Sequence, residues 1–298
     1  GDLPAVRDAS GTVTVRGTDT EIAIREGTAF LEDARTVRID SGRMSIPYKP
    51  GAPVVAALDL TVDGALGSIA EIADREPLNA MAAAPVTPSD LKGEGKATIS
   101  ASFPLRREPG APNTVWDASV DFTGMSIDKE FSGQKLTEAK GTLTVDQSVA
   151  TLEATGKLNG LPAEIKVSEP VRGAGKRVVS ARLKLDDKAR NQLAPGLKDI
   201  VKGVVSVEVN GAADGSQSIS ADLKNASLNL PWAGWSKGNG VAATAEMRIK
   251  RNGGSIAIDD FELKGGTFRM AGSMSLAGNT LTKANFSSVR LNRGDEAA

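Results

Sequence analysis

Two pairs of adjacent aspartates, Asp186-Asp187 and Asp259-Asp260, are the first residues here whose type and spacing suggest chemistry. Two carboxylates facing each other across a cleft can do acid and base work, for instance on a glycosidic bond. Adjacent residues of a strand point to opposite faces, so Asp259 and Asp260 cannot share a substrate. Asp186-Asp187 reads as the capped start of a helix. The segment "KGEGKA" at 92–97 has the composition of a phosphate loop. It lacks the GxxxxGK[ST] spacing and leads into a strand rather than a helix. Two short basic clusters, Arg106-Arg107 and "RIKR" at 248–251, read as solvated strand ends and turns, with lipid-headgroup contact as the sharper alternative. The chain holds no histidine and no cysteine. That excludes a thiolate nucleophile, a disulfide, a Cys/His metal centre and a Ser-His-Asp triad. Oxygen-only ion sites remain, but no acidic cluster has EF-hand spacing. The reading therefore assigns no catalytic residue, no metal and no cofactor.

Composition narrows the partners. The 36 Lys and Arg against 37 Asp and Glu leave a net charge of −1, which gives no electrostatic reason for a nucleic-acid partner. No apolar run approaches the roughly 18 residues of a membrane helix. The chain starts at Gly1 without a visible signal peptide, so it is read as a mature or excised piece.

The elements that must position any site are strands. Apolar and polar residues alternate with period two along most of the 298 residues. "TVTVRG" places Val13 and Val15 on one face, and "EIAIREG" does the same with Ile22 and Ile24. In "AALDLTVDG", Leu58, Leu60 and Val62 face one way and Asp59, Thr61 and Asp63 the other. The pattern continues with Ile99 in "GKATISA", Val120 and Phe122 in "VDFTGMSID", and Leu143 and Val145 in "TLTVDQ". Further on it sets Val205, Val207 and Val209 together, then Leu228 and Leu230, Met247 and Ile249, and Phe268 and Met270. Gly, Asn and Asp turns at close spacing make this an antiparallel meander.

Two segments read as helices. The first runs from Gly64 to about Met81, with Leu66, Ile69, Ile72 and Ala73 as its apolar stripe and a stop before Pro77. It is expected to lie across one end of the sheet. The second begins at the Asp186-Asp187 cap and breaks at Pro195-Gly196. An internal repeat of about one hundred residues is faint: "GKATISA" from Gly95 pairs with "GVVSVEV" from Gly203, and "VDFTGMSID" from Val120 with "ADLKNASLN" from Ala221. It suggests a partial unit at 1–90, units at 91–198 and 199–298, and one continuous sheet of about two and a half repeats.

A one-sided sheet must cover its apolar face. It can close into a barrel, pair with a second sheet, or fold into a trough. Here the inward residues are mostly aliphatic, with few rings. That suits an ordinary sandwich core, and it also suits a lipid-holding channel. In "LNLPWAGWSKGNG" at 228–240, the strand stops at Pro231, and "PWAGW" is expected to be a connection whose indoles, Trp232 and Trp235, cover the end of the apolar face.

With its alternating strands, "ADREPLNAM", "KLNGLPAEIKVSEP" and "LNLPWAGWSKGNG", the chain resembles the AsmA-like superfamily of Gram-negative bacteria, chiefly its YhdP-type and TamB-related members. The resemblance spans nearly the whole chain, and none of its motifs is catalytic. It implies a mainly β fold: an elongated, twisted antiparallel sheet of repeated units curled into a hydrophobic groove, with two short helical insertions. It implies a periplasmic protein, anchored in the inner membrane by an N-terminal helix outside this sequence. The implied function is bridge-like transport of phospholipid between inner and outer membranes, with acyl chains in the groove, in support of the outer-membrane permeability barrier. The alternating residues named above, with Trp232, are then the candidate lining, and envelope proteins are candidate partners at the ends. The competing expectation is a structural or assembly protein of the envelope with a closed sandwich core. An enzyme acting on glycans comes third.

Overall fold

The computed structural model describes residues 4–75, 80–81, 84, 86–106, 110, 112–130, 134–171, 175–212, 214–278 and 280–292, with Trp232 described by its backbone alone. Contacts divide the chain into two compact units. One comprises Gly1–Gly160 with Val167–Gly175, the other Leu161–Lys166 with Lys176–Ala298.

The first unit is a meander of long strands: β1 (Ala5–Arg16), β2 (Asp19–Phe30), β3 (Thr36–Ile46), β4 (Val55–Ala65), β5 (Leu91–Pro104), β6 (Val115–Ile127), β7 (Leu136–Asp146) and β8 (Val149–Leu158). One helix, α1 (Leu66–Asp74), leaves the end of β4. Strand β9 (Leu161–Pro170) has residues in both units. The second unit adds β10 (Val178–Leu185), α2 (Asp187–Leu193), β11 (Val201–Gly203), β12 (Val205–Gly211), β13 (Gln217–Asp222), β14 (Ala226–Leu230), β15 (Trp235–Lys237), β16 (Ala243–Asn252), β17 (Ser255–Gly265), β18 (Arg269–Ala277) and β19 (Thr280–Arg290). Sixteen strands follow one antiparallel hydrogen-bonded order, from β1 to β10 and then β12, β13 and β16 to β19. The other three form a small sheet in the order β11-β14-β15.

Local chemistry sets the turns. The β8–β9 hairpin turns on Asn159-Gly160, both at positive φ (51° and 81°), the pair that a type I′ turn requires. The Asn159 side chain also accepts from the Lys135 N–H at 2.8 Å. Asp186 caps α2 by accepting from the Ala189 N–H at 2.8 Å, and a 3-10 turn at Pro195–Leu197 follows the helix, as the Pro-Gly break predicts.

Three expectations need correction. The sheet neither closes nor curls strongly; a helix covers part of its apolar face in the first unit and a small sheet covers it in the second. The first helix is Leu66–Asp74 only: Gly64 still belongs to β4, and Arg75 is already extended at φ −77° and ψ 153°. Much of the remaining stretch to Met81, at 76–79, lies outside the described residues. The "PWAGW" connection is a 3-10 turn at Pro231–Ala233, after which Gly234 at φ 61° reverses the chain, so Trp235 already begins β15 and pairs with Leu230. The two segments matched as a repeat take different local structures: Val120 to Ile127 stays within β6, whereas 221–229 runs from β13 through a turn into β14.

Candidate functional site

Register decides which side chains share a face. In the first unit one cross-strand row runs Val13, Ile22, Met44, Leu58, Ala101, Trp116. The next runs Gly11, Ile24, Gly42, Leu60, Ile99, Ala118, Val145. A third holds Val62, Ala97, Val120, Leu143 and Leu152. Phe122 lies one row further, opposite Gly95 and Gly141. Every candidate from β2 to β7 therefore lies on one face. Val15, at the far end of β1, shares it by alternation.

Only part of that face is covered. Helix α1 lies over β3, β4 and β5. It completes a core of Ala29, Leu31, Val37, Ile39, Val62, Ile69 and Ala97. Glycine lets it approach: a Cβ on Gly95 would come within 2.6 Å of Leu66 Cδ2. Away from α1 the cover thins. Ile24, Leu60, Ile99 and Val120 are partly buried against this core. Ile22, Met44 and Leu58 are half-buried, and Val13 and Val15 are 66% and 65% exposed. The result is an aliphatic strip that faces outward at Val13 and Val15 on β1, is half-buried at Ile22, Met44 and Leu58, and ends at the buried Ala56 and Trp116.

The second unit covers its face differently. There the rows join Leu183, Val207 and Ala221, and Ala181, Val209, Ile219 and Met247. Ile249 pairs with Ile258, and Leu263 with Met270. The small sheet packs on this face. Val201, Leu228, Leu230 and Trp235 from the small sheet share a buried core with Val205, Ala221, Ala245, Leu263, Phe268 and Met270. Trp235 meets Phe268 edge to face, with centroids 4.7 Å apart and planes at 65°. Gly265 leaves the space that the Phe268 ring fills. Leu228, Leu230, Phe268 and Met270 thus sit inside a closed two-layer core. Val207 and Met247 pack at its margin, and Val209 and Ile249 are half-buried beyond it. The Trp232 side chain lies outside the described residues.

Two buried cations hold this region, and sequence reading found neither. The Lys237 ammonium, 3% exposed, donates to the carbonyls of Leu223 (2.7 Å), Ala226 (2.5 Å) and Gly238 (3.2 Å). Burial pushes its pKa below the ordinary lysine value. Arg190 on α2 donates to the carbonyls of Gly203 (2.7 Å) and Val201 (2.5 Å) and pairs with Asp187. Asp187 also accepts from the Gly203 N–H at 2.9 Å. The Arg190 hydrogen bond and then this N–H hold the Asp187 carboxyl below its usual range. The Asp186-Asp187 pair is therefore one helix cap and one clamp from α2 to β11.

The other chemical candidates resolve into structure. Asp260 sits in a bulge at φ 52°, which breaks the strict alternation assumed for Asp259-Asp260, and it lies 3.6 Å from Arg248. The "KGEGKA" segment is the start of β5, where Lys92 pairs with Asp128 (3.5 Å) and Lys96 with Asp40 (2.9 Å). Arg106 is exposed, and Arg107 lies outside the described residues. On the polar face of the first unit, Thr98, Ser100, Asp117, Ser119, Thr144 and Asp146 line a shallow depression. Asp117 and Asp146 stand opposite each other there. Asp146 accepts from the Ser148 hydroxyl and from the N–H groups of Ser148 and Val149, which lowers its pKa. A general acid needs the opposite shift. Among the described residues no group of three or more acidic side chains could hold a metal ion, and no helix is long and apolar enough to cross a membrane. No protein-family model, no curated protein and no solved structure matches this chain.

Proposed function

We propose that this chain is a non-catalytic lipid-handling module whose uncovered aliphatic strip holds phospholipid acyl chains. The observation that carries the proposal is the row Val13, Ile22, Met44 and Leu58: apolar, in register, and exposed or half-buried. An outward strip of this kind marks an interaction surface. An acyl chain laid on it is stabilised by about 0.8 kcal/mol per buried CH₂, while its headgroup stays in water. The resemblance to the AsmA-like superfamily supports the same reading. On that reading the chain lies in the periplasm, as part of an inner-membrane-anchored protein that carries phospholipid toward the outer membrane. The lipid path of that proposal is the open apolar strip itself, beside the part of the face that α1 covers.

One observation favours a second reading, a structural or assembly module of the envelope. The apolar face under the small sheet is a core of buried side chains shared by the two layers. The two readings part at Leu58→Asp. If tails use the strip, the variant stays folded and captures a photo-crosslinkable phospholipid about tenfold less, because a charge now interrupts an apolar path. Organic extraction and mass spectrometry of the purified parent should yield phospholipid. Unchanged capture by folded Leu58→Asp sinks the lipid reading.

A further inference from the structure

The two ends of the first unit's meander differ in chemistry. One end carries the turn at 17–18 and the connections 47–54, 105–114 and 147–148; the other carries 31–35, 66–90, 128–135 and the turn at 159–160. By sequence, the connections at the first of these ends hold three basic residues, Lys49, Arg106 and Arg107, and one acidic residue, Glu108. Those at the other end hold eight acidic and four basic residues. The charge of the connections therefore runs from basic at one end to acidic at the other.

The basic end also exposes apolar side chains. Tyr48, Leu105 and Val115 are 47%, 46% and 57% exposed, although β3, β5 and β6, which they follow or begin, are each paired on both sides. Lys49 and Arg106 each follow one of them in sequence, are exposed, and have no ion-pair partner among the described residues. Hydrogen bonds stitch these connections together. The Tyr48 N–H donates to the Asp19 carboxylate at 3.0 Å, and the Leu105 N–H to the Val54 carbonyl at 2.9 Å. Free backbone donors are scarce here. The sequence Pro-Gly-Ala-Pro occurs at 50–53 and again at 109–112. Within 47–54, Pro47, Pro50 and Pro53 have no N–H, and the Ala52 N–H is already bonded to the Lys49 carbonyl at 3.2 Å. A loop with few unbonded N–H groups loses little on leaving water.

We propose that this end of the first unit docks on the surface of a bilayer containing anionic phospholipid. Tyr48 and Leu105 enter the boundary between headgroups and acyl chains, where an amphipathic ring is favoured. Lys49 and Arg106 keep their charged heads at the phosphates beside them. Charge complementarity commits the surface to an anionic bilayer, because the acidic connections lie at the opposite end of the strands and point away from it. The docking does not rest on the acyl strip: it uses other residues, and Leu58 takes no part in it.

The test is sedimentation with vesicles of phosphatidylcholine alone or mixed equally with phosphatidylglycerol. The chain should bind the mixed vesicles about tenfold more tightly, and added salt should weaken that binding. Lys49→Gln combined with Arg106→Gln should lower the affinity for mixed vesicles about tenfold. Tyr48→Ser combined with Leu105→Ser should weaken it by a similar factor, of about ten. These side chains are exposed, so circular dichroism should not change. The absence of native cysteine allows a second reading. A polarity-sensitive dye on Tyr48→Cys should shift to the blue with mixed vesicles, and the same dye on Glu32→Cys, at the acidic end, should not. Leu58→Asp should bind vesicles as the parent does, so failure of the acyl strip and failure of docking are told apart. Any of four results overturns the proposal: no binding to mixed vesicles, equal binding to both vesicle types, unchanged binding by the Lys49 and Arg106 double variant, or equal dye shifts at the two ends.

Discussion

The two units meet the same difficulty, a sheet apolar on one face, with different covers. In the first a nine-residue helix is laid over β3 to β5, and the core beneath it is entirely aliphatic and alanine. In the second a three-stranded sheet is laid over β12, β13 and β16 to β18, and two rings lock its centre. A helix buries one narrow stripe, and its backbone is satisfied internally. A small sheet buries a whole face, but its short strands leave carbonyls at their ends that must find donors. The Lys237 ammonium supplies donors to three of them. The comparison teaches that the helix leaves a strip of apolar face outside its reach, while the small sheet makes a closed core. Lipid binding is proposed for the first region for that reason.

The largest expected effect breaks the ring-locked cover. Trp235→Ala removes the indole that meets Phe268 and pairs across to Leu230. It should cost about 3–5 kcal/mol, read from urea unfolding, with hydrogen exchange accelerated in β11, β14 and β15. Exchange in β2 to β5 should not change. If both regions loosen equally, the two cores are not independent. Ile69→Ala is the matching lesion under α1, where Ile69 is 8% exposed. It should cost about 2–4 kcal/mol and loosen β3 to β5 alone.

Lys237→Met tests the carbonyl cap. It keeps length and apolar bulk but takes the ammonium donor from the carbonyls of Ala226 and Gly238, and from that of Leu223, which keeps the Ala226 N–H at 3.1 Å, at a cost of about 1–3 kcal/mol. The same lysine predicts a pH dependence. Its folded pKa lies below the ordinary 10.5, so the lysine is fully compatible with folding only above that pH and opposes folding increasingly as pH falls toward the folded value. The urea midpoint of the second unit should therefore rise as pH approaches 10.5, and Lys237→Met should flatten that rise. A parent midpoint independent of pH over that range would remove lysine desolvation from the account.

The smallest effect belongs to α1. Burial pushes Glu71 up, but hydrogen bonds from Arg75 and Arg35 outweigh it, and its pKa falls below the ordinary 4.5. Its stabilising contribution is present above pH 4.5 and lost as pH falls through the lowered value. These partners are partly exposed, so Glu71→Gln should cost at most about 1 kcal/mol at pH 7 and weaken the acid sensitivity of α1 alone. The check is hydrogen exchange in α1 at neutral and acid pH.

Much of the fold was legible because period-two alternation is a local property. Leu58, Leu60 and Val62 could be assigned to one face from spacing alone, and the register of β3 to β5 bears that out. The Asp186 cap and the stop at Pro231 were legible for the same reason, since each depends on one residue and its immediate neighbours. Asp259-Asp260 was misread because a bulge depends on the facing strand, and nothing within the pair announces it. Lys237 was missed because its three acceptors come from other turns and from its own neighbour, brought together only when β15 folds back along β14.

By itself, the sequence determined the mainly β character, the two faces of the strands wherever no bulge interrupts them, and the exclusion of Cys and His chemistry. Those follow from side-chain order along the chain and from composition. Tertiary structure alone decided where the apolar face is covered and where it is left open. Val13 and Leu228 have the same alternating pattern around them, yet one is 66% exposed and the other 5%. The difference lies in which distant segment packs on each. That is settled by loop closure, by the space left at Gly95 and Gly265, and by the satisfaction of buried backbone groups.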